Sequence, residues 1–439
     1  MNQKDNLVMA KNCVYKMDEN SANNNVLIVG GTGSGKTHYV LEPMLLHTEN
    51  SSLVININKR SLFDKYAPLF NERGYKVLDL NLAHPETSNI SFNLFQYLKT
   101  DKDIRDFAIN IVNASLGDKD NQKDPYWSVS AANLLAFVLR FTRDCFEKPD
   151  LNFFFCVVNE LNVAFELLHS DKTEFDEDEQ TAMDILKSVD FYAAKRCETS
   201  MASGYYAFRR NCRTTGICII ATMISAINAV LTENVVAVIS VPLPALDITA
   251  LGKEKTILFI TVPPLNQSTH VFSNIVFSQI FKDLFEFAED HCVNGELPVP
   301  VRLMFDDFAC GSVVPGFEKT ISIIRQKKIS VTMLLQDFSQ LNSMYGDKKA
   351  QTISNNCDTL VYMGGMDEAS VEKVSRLSNQ PFEDVFYMPI DKVVVIRRGN
   401  KGAVFTSKYD IDADEIYKTL MKVPAKDKAS FSYGIDFMH

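Results

Sequence analysis

Val26-Leu27-Ile28-Val29 runs directly into Gly30-Gly31-Thr32-Gly33-Ser34-Gly35-Lys36-Thr37, and this stretch decides the fold. The octapeptide is the P-loop pattern G-x-x-x-x-G-K-[ST], placed at the end of an apolar strand and the start of a helix. Each residue type has a physical role there. Glycines let backbone N–H groups turn inward around phosphate oxygens with no Cβ in the way. The helix opening near Lys36 points its positive dipole end at the same anion. Lys36 reaches the β- and γ-phosphates, and Thr37 offers a hydroxyl to Mg²⁺. The alternative is a glycine-rich turn with a chance lysine, and the complete octapeptide argues against it. Gly30, Gly31, Thr32, Gly33, Ser34, Gly35, Lys36 and Thr37 are the expected cradle for ATP, with Mg²⁺ beside Thr37.

Around the P-loop, strand and helix signals alternate. Val26–Val29, Leu53–Ile57 and Lys76–Leu80 are predicted strands, and Leu62–Arg73 is a predicted helix stopped by Gly74. This is the start of a parallel α/β sheet. Between Asp101 and Leu231 strand signals fade and helical periodicity takes over, as in Trp127–Phe141 and Phe154–Leu168. The acidic run over 171–179 is a loop or a helix entry, solvated or docking a basic partner. Strands return at Thr256–Val262, Arg302–Phe305, Ile329–Leu335, Thr359–Tyr362 and Val393–Arg397, with a long helix predicted from about Asn266 to Asp290. The expected organisation is an α/β nucleotide-binding domain over 1–100 and 232–439, interrupted by an all-helical domain over 101–231.

Composition narrows the class. The 439 residues suffice for two domains, and 46% apolar with 23% charged content is ordinary for a globular chain. A net charge of −10 argues against a protein that simply coats nucleic acid, though a small basic channel inside an acidic ring remains compatible. Any DNA contact must then be local, and Lys327, Lys328, Arg397, Arg398 and Lys401 are candidates beside the alternative of solvated basic turns. The nine cysteines show no C-x-x-C pair and no zinc spacing with histidine, as expected of reduced, buried thiols. No apolar signal segment opens the chain. Gly216–Leu231, the most apolar stretch, is expected to be a buried helix too short to span a bilayer.

Hydrolysis needs more than a P-loop. Val301-Arg302-Leu303-Met304-Phe305-Asp306-Asp307 is an apolar strand ending in two carboxylates, the Walker B pattern. Asp306 is placed to hold the Mg²⁺ shell and Asp307 to orient or deprotonate the attacking water. Gln336, closing the next strand, is either a γ-phosphate sensor or a plain polar strand end. Arg325, before that strand, is either an arginine finger or a solvated helix end beside Lys327 and Lys328.

With these pieces placed, the chain resembles the TraG-type coupling ATPases of conjugation and type IV secretion, in the branch from Gram-positive mobile elements. The resemblance rests on Asn23-Asn24-Asn25-Val26-Leu27, Ser91-Phe92-Asn93-Leu94-Phe95, Asp124-Pro125-Tyr126-Trp127, Leu251-Gly252-Lys253-Glu254-Lys255-Thr256, and above all Leu297 to Gly365. Within that last stretch lie Phe305-Asp306-Asp307-Phe308-Ala309, Pro315-Gly316-Phe317-Glu318-Lys319, Gln336, Gln340-Leu341 and Asn356-Cys357-Asp358-Thr359. The resemblance implies a RecA-like fold, a homo-hexameric ring, Gln336 at the γ-phosphate and Arg325 acting on a neighbour's ATP. It implies a cytoplasmic protein recruited to the membrane at the mouth of the secretion channel. Its partners would be channel components and a relaxase carrying single-stranded DNA, or secreted proteins. The chain departs from the family in three places. No transmembrane segment stands ahead of the P-loop, the usual Asp-Glu is Asp306-Asp307, and the T-D-P-K-G-E segment reads Asn56-Ile57-Asn58-Lys59-Arg60-Ser61. The rivals are a nucleotide-dependent cargo receptor with little hydrolysis and a DNA pump of the HerA/FtsK class.

Overall fold

The computed structural model describes residues 5–422 apart from 18–21, 116–124, 241, 264–265 and 309–312. Asp124 and Ala309 of the sequence motifs lie outside the described residues. The chain divides into two compact units, one formed by 1–90 and 247–439, the other by 91–246.

In the first unit, strands β1 (Asn6–Ala10) and β2 (Cys13–Lys16) make a separate antiparallel hairpin. The remaining strands are β3 (Val26–Val29), β4 (Ser52–Ile57), β5 (Lys76–Asn81), β6 (Thr256–Thr261), β7 (Val301–Phe305), β8 (Ile329–Leu335), β9 (Thr359–Tyr362), β10 (Lys392–Arg397) and β11 (Val404–Ser407). They form one sheet in the order β11-β10-β9-β3-β8-β7-β4-β6-β5. From β9 to β5 every neighbouring pair is parallel, whereas β10 and β11 run antiparallel at one edge. Strands β3, β4, β6, β7, β8 and β9 are buried at every residue, which is why they read as unbroken apolar runs: helices cover both faces. Parallel strands align their C-terminal ends, so the tips of β3, β7 and β8 share one rim of the sheet.

The hairpin β1–β2, strand β11 and the helix Glu415–Lys422 add to the elements expected from the sequence. The hairpin strands are short, and β1 has only its first residue off the core. Such strands carry little alternation to read.

The second unit is helical. Its main helices are Asp101–Ser115, Tyr126–Cys145, Leu151–Leu168, Glu177–Lys195, Ser200–Arg209, Arg213–Val230 and Glu233–Ser240. The acidic run proves to be a helix entry. Asp176 accepts from the Glu179 N–H and the Glu179 carboxylate accepts from the Asp176 N–H, a reciprocal cap on Glu177–Lys195. The boundaries differ from 101 and 231. Ser91 pairs with Ala245 in a parallel bridge, and the Tyr97 hydroxyl donates to the Leu246 carbonyl at 2.5 Å. Leu94–Tyr97 and Glu233–Ser240 therefore fold with the insert, through long-range contacts that local periodicity cannot register. The apolar stretch at Gly216 is also longer than expected. Helix Arg213–Val230 has 18 residues and, like Leu151–Leu168, has the length and composition to cross a membrane. Here its Gly216, Ile219, Ile220, Met223, Ala226, Ile227 and Val230 are buried, the helical spacing of a bundle-facing stripe.

Candidate functional site

Asparagines set the entry to the P-loop strand. The Asn25 side-chain carbonyl accepts from Val331 N–H on β8 (2.9 Å), and its amide donates to Asn356 O ahead of β9 (2.8 Å). The Asn23 N–H donates to the Asp358 carboxylate at 2.6 Å. One short polar segment thus ties β3 to both flanking strands at their N-terminal ends. At the other end, Gly30 N–H donates to Leu335 O (3.1 Å) and Gly31 N–H to Gly364 O (2.8 Å), which holds the loop against the tips of β8 and β9. Gly33 and Gly35 take φ of 78° and 81°, the left-handed region glycine favours. A Cβ on Gly35 would stand 2.5 Å from the Tyr39 ring, so the tight turn and its close packing both require glycine.

The Lys36 ammonium folds over the loop, donating to Gly30 O at 2.6 Å and Gly31 O at 3.3 Å. The Thr37 hydroxyl donates to Asp306 Oδ1 at 2.7 Å, across 269 residues of chain. Burial pushes the Asp306 carboxyl above its ordinary range; the Thr37 hydrogen bond opposes this, the Asp307 charge adds to it, and Lys36 and Lys59 pull it back. Lys59, the residue kept from the divergent segment after β4, therefore acts on the Asp306 carboxylate. Arg60 beside it is turned away, paired with buried Asp79 at 2.6 Å and laid over the Phe63 ring. Asp307 sits at φ 66°, a conformation that aspartate tolerates better than most residues. Gln336 stands beside the P-loop: the Thr32 hydroxyl donates to its Oε1 at 3.3 Å, while its backbone N–H donates to Gln340 Oε1 at 2.9 Å.

The donor set fits a magnesium nucleotide. A hydroxyl and a carboxylate are hard oxygen ligands of the kind Mg²⁺ prefers, and a turn of left-handed glycines leaves N–H groups for phosphate.

The model of the type IV secretory system conjugative DNA transfer family matches residues 1–379. The chain belongs to this family. No curated protein matches it in sequence. Among solved structures it is similar to the bacterial conjugative coupling protein TrwBdeltaN70 in an unbound form, with TM-score 0.66 and 15% identity over 93% of this chain and 88% of that one. It is similar to TrwB in complex with the ATP analogue ADPNP, at TM-score 0.63 and 16% identity over 88% and 84% of the two chains. VirB4 of Thermoanaerobacter pseudethanolicus follows at TM-score 0.55 and 12% identity, over 95% of this chain and 99% of that one. These likenesses fix the fold: a RecA-like P-loop unit with a helical insert.

Within this conjugative DNA transfer protein the remaining candidates separate. Arg325 is exposed on the turn Ile324–Lys327 that precedes β8, at the opposite end of that strand from Gln336. Seven residues of strand, roughly 23 Å at 3.3 Å per residue, keep it out of its own chain's site. Two of the basic candidates for DNA are committed within the fold. Lys327 is buried and paired with Glu289, and Arg397 is 4% exposed, its guanidinium bonded to Thr359 and stacked on Tyr15. Each charge is used inside the fold. Lys328 pairs with Glu296 (2.9 Å) and Arg398 approaches Asp358 (3.4 Å), whereas Lys401 is exposed. Of the D-P-Y-W motif, Tyr126 and Trp127 open a helix and are 45% and 36% exposed. No local pattern marks Lys408. It lies just past β11, and its ammonium donates to the Ser34 carbonyl of the P-loop at 2.7 Å.

Proposed function

We propose that this chain binds MgATP at the P-loop and hydrolyses it to drive substrate transfer through a type IV secretion channel. The observation that carries the reading is the Thr37–Asp306 hydrogen bond, which joins the P-loop to the Walker B tip. Lys36 would exchange its loop carbonyls for the β- and γ-phosphates, a gain because a phosphate is the stronger partner. Thr37 and Asp306 would hold the metal, which supplies charge neutralisation at the phosphates when bound. Asp307 would orient or deprotonate the water, and Gln336 would contact the γ-phosphate from the tip of β8. The position of Arg325 supports an action on a neighbouring subunit's nucleotide, hence a homo-oligomeric ring, with a hexamer implied by the family resemblance. Single-stranded DNA with its relaxase, or secreted protein, is the proposed cargo, and the cytoplasmic face of the membrane the proposed location. The short acid at Asp307 favours a second reading, a nucleotide-gated cargo receptor with slow turnover.

The test is ATP binding and turnover by the purified chain, with and without single-stranded DNA. Lys36→Ala should weaken ATP binding by over about 100-fold, since charge-assisted bonds worth about 3 kcal/mol are lost, and leave the melting temperature unchanged. Equal ATP affinity in a folded Lys36→Ala protein would remove the nucleotide-site assignment.

A further inference from the structure

A peptide unit is planar and trans, so its C=O and N–H point in opposite directions. The described chain has no cis peptide bond. The unit joining Ser34 to Gly35 therefore presents its two polar groups to opposite sides of the P-loop. On one side the Ser34 carbonyl accepts from Lys408 at 2.7 Å. On the other, the Gly35 N–H finds no acceptor among the described residues and faces away from Lys408. Gly35 is the sixth residue of the octapeptide, next to Lys36, where N–H groups of a P-loop meet phosphate.

Lys408 comes from the far edge of the sheet. Its own N–H donates to Asp391 O at 2.8 Å, and the Ser407 carbonyl before it accepts from Lys11 N–H of the β1–β2 hairpin at 3.1 Å. The ammonium also lies 5.1 Å from the centre of the Tyr39 ring, the ring that packs on Gly35. Burial lowers the Lys408 pKa, opposed by the Asp391 charge. A lysine that is partly desolvated to meet a neutral carbonyl, on a backbone anchored at both flanks, is not a loose surface charge.

Resting on the nucleotide reading above, we propose that Lys408 is a positioning residue of the phosphate site: its ammonium fixes the Ser34–Gly35 peptide plane and makes the Gly35 N–H a stronger donor to phosphate. Two effects act together. The hydrogen bond stops the peptide from flipping, a motion that glycine at Gly35 would otherwise permit cheaply. The cation on the carbonyl polarises the amide, since hydrogen-bonded groups in series strengthen one another. The edge hairpin β10–β11 is thereby linked to nucleotide affinity without touching the nucleotide.

The experiment compares the full chain with Lys408→Met and Lys408→Arg. Calorimetry with MgATP and MgADP, turnover kinetics and melting without nucleotide are measured on each. Methionine keeps the length and removes the charge; it should weaken ATP and ADP about tenfold, raise KM in proportion and leave kcat and the melting temperature unchanged. Arginine should restore affinity to within about threefold. Wild-type affinity in Lys408→Met overturns the proposal, as does loss of affinity that tracks loss of thermal stability, or failure of arginine to rescue. If Lys408→Met does not fold, the arginine variant decides: a folded Lys408→Arg with ATP affinity tenfold or more below wild type overturns the proposal. A wild-type chain that binds neither nucleotide sinks the nucleotide reading itself, a result distinct from all of these.

Discussion

Asp79 and Asp306 in the α/β unit are pushed above the usual carboxylate range by burial, whereas Asp144 and Asp190 in the helical unit are held below it although burial opposes this. Depth and partners both decide it: Asp79 stays raised although Arg60 bonds it directly, because it is buried more deeply than Asp144 or Asp190. Asp190 takes a two-pronged contact from Arg209 (2.8 and 3.0 Å) and the Tyr205 hydroxyl at 2.7 Å. Asp144 takes Tyr192 at 2.5 Å and Arg143 at 2.6 Å. The charges of the helical unit are spent on holding helices together. Asp306 instead has a hydroxyl, a like-charged neighbour and two lysines acting from farther off. A half-buried carboxylate bonded directly to only a neutral hydroxyl gains when a cation joins it. The contrast sets Asp144 and Asp190, held by arginine and tyrosine inside the fold, against Asp306, whose direct bond is to a neutral hydroxyl.

The sharpest way to break this contrast is Arg325→Ala. A trans-acting finger is worth about 10³–10⁵ in rate, so turnover should collapse while ATP affinity measured by calorimetry stays the same. A variant that turns over normally would return Arg325 to the role of a solvated helix end.

Asp307→Glu comes next. Glutamate places its carboxylate one methylene farther out, and a misplacement of about 1 Å can cost 10²-fold, so the longer acid should raise single-turnover hydrolysis by up to that factor. ATP affinity should hold, because Asp306 is untouched. An unchanged or lower rate would mean that the left-handed backbone at Asp307 has already brought the shorter acid into place.

In the helical unit, Gly216→Ala should act on stability alone. An added Cβ would stand 2.1 Å from the Phe165 ring tip, and overpacking of this kind costs about 1–3 kcal/mol, more than the gain in helix propensity. Chemical denaturation should report the loss and nucleotide calorimetry should report none. Altered ATP affinity would show that the two units are not energetically separate.

The smallest effect is in acid. The depressed Asp144 and Asp190 contribute stability that is present above their unfolded pKa, near 4, and is lost as pH falls through their lower folded values. The raised Asp79 and Asp306 have the opposite sign: their penalty is relieved as pH falls through their folded values. Amide hydrogen exchange below about pH 4 should therefore show helices Glu177–Lys195 and Ser200–Arg209 opening before the sheet. Simultaneous opening would contradict the contrast.

What could be read from the sequence follows the same division. Strands β3, β8 and β9 stand at the expected residues because parallel, doubly covered strands are plain apolar runs. The P-loop, Asp306 and Gln336 follow the tips of β3, β7 and β8 as expected, because each closes an apolar run. Other features were not legible in the sequence. Strand β11 is half exposed and short, and the register that makes it a strand belongs to β10. The insert's true edges depend on Ser91 meeting Ala245. Lys327 and Arg397 looked like free basic groups because their partners, Glu289 and the Tyr15 ring, are remote in the chain. Lys408 was hidden for the same reason.

The bridge between Ser91 and Ala245 has one more consequence. The polypeptide leaves for the helical unit and comes back through adjacent residues, joined by the Leu246 N–H to the Ser91 carbonyl at 2.8 Å. An insertion whose two ends already touch asks nothing of the host but a single doorway. The helical cassette could be enlarged or trimmed at that doorway while the strand rim with Lys36, Thr37 and Asp306 kept its geometry.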